Sequence, residues 1–441
     1  MKLTRLTIRE YAESLAIAFI LAMVIRHFVV EAFRIPTSSM EPTLIGNERS
    51  GDRILVSKFQ YDLHPPQQWD IVVFKIDEAR IDYYKRFYNC AKPVQPDYYE
   101  RHSNIEWGRV PPKVKPDDNG TVSPPGSPEY VNYVKRLVGL PGQTIQVING
   151  DVFIDGKISR KPPHAEESLL VPVTDDARLS RGGETFFQRW SKRGAKVAPA
   201  GAGRITLDGS AAECSVRYLG QIEDYIQTSR DGPSQFRSLN VVGDLKLAFR
   251  FTHTGGSGDL ICRLNKDDTE YVFVLPLGKQ GEAAQIRYAG EVAARAGRPF
   301  APTGEHRIEV SNIDARAILK VDGEVLVSFE NNDPGQADAG AVSRSPTERS
   351  GAEFGVTGCT AAVRDVSLWR DVYYTAGEEG RRRPKYAVSE PLELAGDEYF
   401  MMGDNSPNSF DGRNWGVVKE DSLIGEAFFV FWPLPRWRLI N

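Results

Sequence analysis

Residues 130–154 read YVNYVKRLVGLPGQTIQVINGDVFI. The first ten are β-branched, aromatic or apolar at most positions, and the run stops at Pro141-Gly142, a turn pair. Two further short apolar runs, 143–148 and 151–154, flank Asn149-Gly150. Asn-Gly between such runs is a strong signal for a two-residue hairpin, because both turn positions need positive φ. The stretch therefore predicts an antiparallel β domain.

The same pattern extends upstream. Residues 69–76 (WDIVVFKI) form a second β-rich run, and Ser50-Gly51-Asp52-Arg53 is a turn leading into another at 54–59. Between them and the N-terminus lies Arg34-Ile35-Pro36-Thr37-Ser38-Ser39-Met40-Glu41-Pro42-Thr43-Leu44, a hydroxyl-rich turn bracketed by two prolines that stiffen its ends. A serine on a rigid turn is a candidate nucleophile, since fixed geometry lowers the entropic cost of attack. Ahead of it, Lys2, Arg5 and Arg9 precede an uninterrupted apolar run at 15–25, and Arg26-His27 is followed by more apolar residues to Phe33. A membrane span needs about 20 residues, which this run reaches if Arg26 and His27 snorkel. No small-x-small cleavage site follows Ile25, so a retained anchor is preferred to a cleaved signal peptide. The basic residues ahead of it place the N-terminus inside and the rest of the chain outside.

Downstream, Pro162-Pro163 marks a change of character. Leu245, Leu247, Phe249 and Phe251 alternate strictly, and short runs at 260–264, 271–275, 308–310 and 363–369 repeat the theme. Runs at 317–321 and 325–329 meet at Asp322-Gly323, a second hairpin signal. Many short strands suggest a β-sandwich. After the charged linker 378–385 the first domain resumes, with strands at 398–402 and 427–432 around a polar loop, GDNSPNSFDGRNWG, at 403–416. The expected fold is mainly β, with four parts. Residues 1–34 hold the cytoplasmic N-terminus and transmembrane helix; 35–161 and 386–441 make one antiparallel domain; 162–385 is an inserted β-sandwich with its linkers. An insertion in a surface loop costs little loop entropy. The 78–128 stretch, rich in Tyr and Pro, is a long excursion from the sheet.

Composition narrows the chemistry. With 441 residues the chain exceeds one ordinary domain, and its net charge of −4 argues neither for nucleic acid nor for a polyanionic partner, so no nucleic-acid partner is expected. Four cysteines (Cys90, Cys214, Cys262, Cys359) lie far apart with no C-x-x-C pair, so neither a metal site nor a redox motif is indicated. Cys262 sits in a strand-like run as a small buried hydrophobe. None of the six histidines lies in a glycine-bounded motif, leaving a Ser-His-Asp triad without a candidate. The alternative base is a lysine kept neutral by desolvation. Lys135, between Tyr133, Val134, Leu137 and Val138, fits that description; on composition alone, Lys135 and Arg136 facing water is the simpler reading.

Three strings shift that balance. Thr37-Ser38-Ser39-Met40-Glu41-Pro42-Thr43, Tyr133-Val134-Lys135-Arg136-Leu137-Val138-Gly139-Leu140-Pro141-Gly142, and Met402-Gly403-Asp404-Asn405-Ser406 through Trp415-Gly416 resemble, in order, the boxes of bacterial type I signal peptidases. Gly51-Asp52-Arg53 and 69–74 also resemble that family. The resemblance covers roughly 10–158 and 385–441. It implies an antiparallel β catalytic domain on the outer face of the cytoplasmic membrane, removing signal peptides after small-x-small sites with a Ser/Lys dyad and no cofactor. By motif position it implies Ser39 as nucleophile and Lys135 as general base. Thr37 and the Ser39 backbone N–H would form the oxyanion hole. Ser409 would hydrogen-bond the lysine amine, and Asp411 and Arg413 would pair to support the loop.

The inserted block is unlike that family. Val321-Asp322-Gly323-Glu324-Val325 and the 363–369 strand resemble concanavalin-A-like (laminin-G-type) jelly rolls. The implied partners are signal peptides and the bilayer, with a glycan or protein ligand of the insert set against a purely structural insert that props or shields the protease. Two other readings are an anchored glycan-binding protein with a degenerate peptidase half, and a self-cleaving repressor. Intact Ser39, Lys135, Ser409 and Asp411 oppose the first; the anchor and the absence of a basic DNA-reading helix oppose the second.

Overall fold

The computed structural model describes residues 11, 13–18, 30–77, 130–175, 183–194, 196–200, 204–224, 240–279, 281–300, 303–332, 350–377 and 386–440. The 78–128 excursion, Cys90 and the 378–385 linker lie outside the described residues. The chain forms two compact units. One comprises the chain up to Val147 and from Thr375 onward; the other runs from Ile148 to Tyr374, leaving aside 228–233, which are not described.

The first unit is built on an antiparallel sheet. Its order is Val30–Arg34, Arg53–Ser57, Leu423–Trp432, Ile71–Asp77, Tyr130–Gly139, Glu398–Met402 and Val418–Lys419. The strand from the C-terminal segment thus lies between two from the N-terminal one, so neither segment can complete the sheet alone. The near-continuous apolar run at 71–76 reflects burial on both faces. Ile71 and Val73 join a core with Ile35, Met40, Leu44, Ile54, Val56 and Val430. Val72, Phe74 and Ile76 join another with Leu137, Tyr399, Met401 and Trp415.

The expected helical span does not extend through Phe33. Residues 13–18 are helical and 19–29 are not described, but Val30–Arg34 is a strand paired in register with Arg53–Ser57. Phe33 packs against the first core, and that packing together with the ladder outweighs helical continuation. Among the described residues no helix is long and apolar enough to cross a membrane.

The second unit is β-sandwich-like around one large core. Leu245–Lys266 and Ser350–Arg370 are two long strands paired along most of their length. The N-terminal half of Leu245–Lys266 also pairs with Glu305–Ile313, and its C-terminal half pairs with Thr269–Leu277. One strand thereby serves two layers. The separate runs expected at 245–251 and 260–264 are one bent strand, because the intervening Gly255, Gly256 and Gly258 carry register shifts rather than a loop. The hairpin of Arg316–Val321 and Glu324–Glu330 turns at Asp322 and Gly323, both at positive φ. Cys214, Cys262 and Cys359 are buried free thiols.

This unit begins earlier than the Pro162-Pro163 signal indicates. Phe153 and Ile158 pack against Ala315, and buried Lys161 pairs with Asp314 and, at 2.7 Å, with Asp371. It ends earlier than 385 too, since Thr375 already belongs to the first unit.

Candidate active site

Ser39 sits in the single 3-10 turn Ser38–Met40, directly after the Val30–Arg34 strand. Buried Met40 anchors the turn in the core beneath. The loop to Asp52 folds back on it: Ile35 N donates to Asp52 O at 2.9 Å and Asn47 N to Ile35 O at 3.1 Å. Asp52, wholly buried, accepts from Ile45 N at 2.8 Å and from Arg436 Nη2 at 2.7 Å. Gly46 is required by proximity, since a Cβ there would stand 1.8 Å from Thr37 O.

Lys135 lies opposite Val72 in the register of the Tyr130–Gly139 strand. It is 2% exposed, and its Nζ is 2.5 Å from Ser39 Oγ. Burial disfavours the ammonium and lowers the amine to about 8, against the upward pull of Asp411 and Asp404; Arg413 adds a smaller push downward. Among the described residues Lys135 makes no ion pair, because both carboxylates are engaged elsewhere. Asp404 takes a two-point grip from Arg136, Nε to Oδ1 and Nη2 to Oδ2, each 2.7 Å. Arg136 also donates to Trp69 O and Thr43 Oγ1.

Asp411 is gripped likewise by Arg413, Nε to Oδ1 at 2.8 Å and Nη2 to Oδ2 at 2.6 Å. Burial opposes ionisation of Asp411, but this grip and the Gly403 N–H at 2.9 Å hold its carboxyl below the usual range. Asp411 also caps the short Gly412–Trp415 helix, with Asn414 closing the capping box. The loop reaches the serine turn through Asn405 N to Ser39 O at 3.0 Å, Asn405 Nδ2 to Ser38 O at 3.1 Å and Asn408 Nδ2 to Ser38 Oγ at 3.0 Å. Gly403 passes so close that a Cβ would lie 2.5 Å from Ser39 O.

Thr37 Oγ1 is 3.3 Å from Ser39 Oγ. Ser39, Lys135, Thr37, Asp411 and Arg413 therefore share one site. Ser409 does not join them as the resemblance implies: its Oγ is buried beside Gly403 and makes no hydrogen bond. Sequence reading missed the pairing of Arg136 with Asp404 and the roles of Asn405 and Asn408, since the short polar residues of 403–409 signal only a loop, and it missed Thr375, which lies outside every quoted string.

The arrangement can perform acyl transfer: a hydroxyl beside a buried amine, with a second hydroxyl nearby. A profile of the family described as signal peptidase, peptidase S26, matches residues 8–180 and 366–432, more than half of the chain. The probable signal peptidase I-1 of Synechocystis sp. is 32% identical over 165 residues, 37% of this chain and 58% of that protein. Signal peptidase I of Mycobacterium tuberculosis is 34% identical over 143 residues, 32% of this chain and 42% of that protein. The chain thus spans about half the length of these curated relatives. A Bacillus subtilis protein of unknown function with a galectin-like fold covers 45% of this chain and 97% of its own at 8% identity, with a TM-score of 0.31, too low to carry fold or ligand across.

Proposed function

The chain belongs to the signal peptidase family, peptidase S26, and from that premise we propose that it is a membrane-bound serine endopeptidase removing N-terminal signal peptides from exported preproteins after small-x-small sites. The observation that carries this reading is the 2.5 Å approach of Lys135 Nζ to Ser39 Oγ, with the lysine buried and free of any carboxylate contact among the described residues.

Neutral Lys135 takes the Ser39 proton as Oγ attacks the scissile carbonyl carbon. The oxyanion accepts hydrogen bonds from the Ser39 backbone N–H and the Thr37 hydroxyl. Lys135 returns the proton to the leaving amine, and a water deprotonated by Lys135 then cleaves the Ser39 ester. Asp411 and Arg413 hold the loop against Ser39. Ser409 is a bystander, its hydroxyl without a hydrogen-bond partner.

We place a single-pass anchor in the apolar residues upstream of Val30, with the catalytic unit on the extracytoplasmic side of the inner membrane. For the second unit we propose a jelly-roll fold with a structural role; specific retention on a glycan array would favour a binding role instead. The peptidase reading is tested with the full chain in detergent and a preprotein carrying a small-x-small site. Release of the mature N-terminus by the wild type, and none by Ser39→Ala, is expected; no cleavage by folded wild type would overturn it.

A further inference from the structure

We propose that Thr375, which lies outside every catalytic string, is a positioning residue for the peptidase reaction, fixing the Arg413 guanidinium and through it the Asp411 carboxylate whose charge acts on Lys135. The inference rests on the Ser39/Lys135 reading.

Thr375 is the first residue of the returning catalytic segment and is 2% exposed. All three of its polar groups are committed to one small network. Its N–H donates to Ser406 Oγ at 2.9 Å. Its carbonyl accepts from Arg413 Nη1 at 3.0 Å, and its hydroxyl oxygen accepts from the same nitrogen. Ser406 completes the cradle, Oγ accepting from Nη1 at 2.7 Å and its carbonyl from Nη2 at 2.7 Å. With Nη1 drawn to Thr375 and Ser406, the guanidinium plane is set so that Nε and Nη2 face Asp411. A guanidinium is a rigid fork, so fixing one arm fixes the others.

The consequence reaches the lysine by charge. The groups acting on Lys135 are Asp411, Asp404 and Arg413, and Asp404 is already neutralised by Arg136. The remaining variable is how closely Arg413 screens Asp411. A loosened fork leaves Asp411 more negative toward Lys135, which favours the ammonium, the form that cannot act as a base.

Thr375→Val keeps the shape and both backbone contacts but removes the hydroxyl. Its rising limb of kcat/KM against pH should move upward by about half a pH unit or more, with rate recovered above the limb; Thr375→Ser should restore the wild-type profile. A merely structural role would lower Tm and leave the limb in place, and that result overturns the proposal. Should Thr375→Val fail to fold, Ser406→Ala removes the hydroxyl shared by Thr375 and Arg413 and should move the limb the same way; an unmoved limb there is equally fatal. A wild type that cleaves nothing would instead sink the peptidase reading itself.

Discussion

Each unit buries a lysine to the same extent, and the two meet opposite fates. Lys135 in the first is 2% exposed and faces a serine hydroxyl; burial lowers its amine to about 8. Lys161 in the second is 3% exposed and sits between Asp314 and Asp371. Burial works against its charge as well, but the two carboxylates outweigh it and hold the amine protonated. Desolvation alone therefore does not make a base. What matters is whether nearby carboxylates are spent on other cations, as Asp404 is on Arg136 and Asp411 on Arg413.

The comparison breaks most severely at the dyad. Lys135→Met should lower kcat by about 10⁴-fold, the upper end for loss of a general base, while leaving Tm close to wild type; retained turnover in the preprotein assay would show that the buried amine is not the base. Lys161→Met should do the reverse. Two carboxylates left buried without their cation cost about 3–5 kcal/mol, read as a lower denaturation midpoint with the Ser39 chemistry intact. An unshifted midpoint would mean that the ion pair is replaceable by packing.

Thr37→Val sharpens the picture at the serine. A donor used only by the tetrahedral intermediate is worth about 10²–10³ in kcat, so kcat should fall with KM nearly unchanged. A change confined to KM would place Thr37 against substrate instead. For the wild type, the free amine is the active form, so kcat/KM should rise as pH increases through about 8 and level off above it. A limb near the ordinary lysine value would remove the contrast with Lys161. The smallest effect is expected for Ser409→Ala, within about 0.5 kcal/mol in activity and stability, because its hydroxyl has no partner to lose. A large loss in a single-turnover deacylation assay would show that the acylated enzyme recruits it.

The strands were legible where their own residues carried the signal. The runs at 71–76 and 130–139 are dense in β-branched residues, and Asp322-Gly323 turns where its chemistry requires. Val30–Arg34 was not legible, because five residues ending an apolar run look alike whether they continue a helix or join a sheet edge. Its pairing with Arg53–Ser57 is a tertiary fact. The Ser39 and Lys135 strings stood out, yet their meeting across 96 positions came from motif order rather than from any local property. Thr375 and Asn408 were invisible for the same reason: a threonine after a tyrosine pair and an asparagine after a proline are ordinary loop residues until the fold brings a guanidinium or a serine turn to them.

Gly150 and Tyr374, near the two ends of the second unit, meet in a single β-bridge, Tyr374 N donating to Gly150 O at 3.2 Å. The more than two hundred residues between them thus begin and end side by side. A block whose ends meet in this way closes on itself as a hairpin loop does, and long insertions of that kind are tolerated at loop positions. A protein engineer could use the same pair of positions as a seam, joining them with a short turn or fitting a foreign domain whose termini lie as close together.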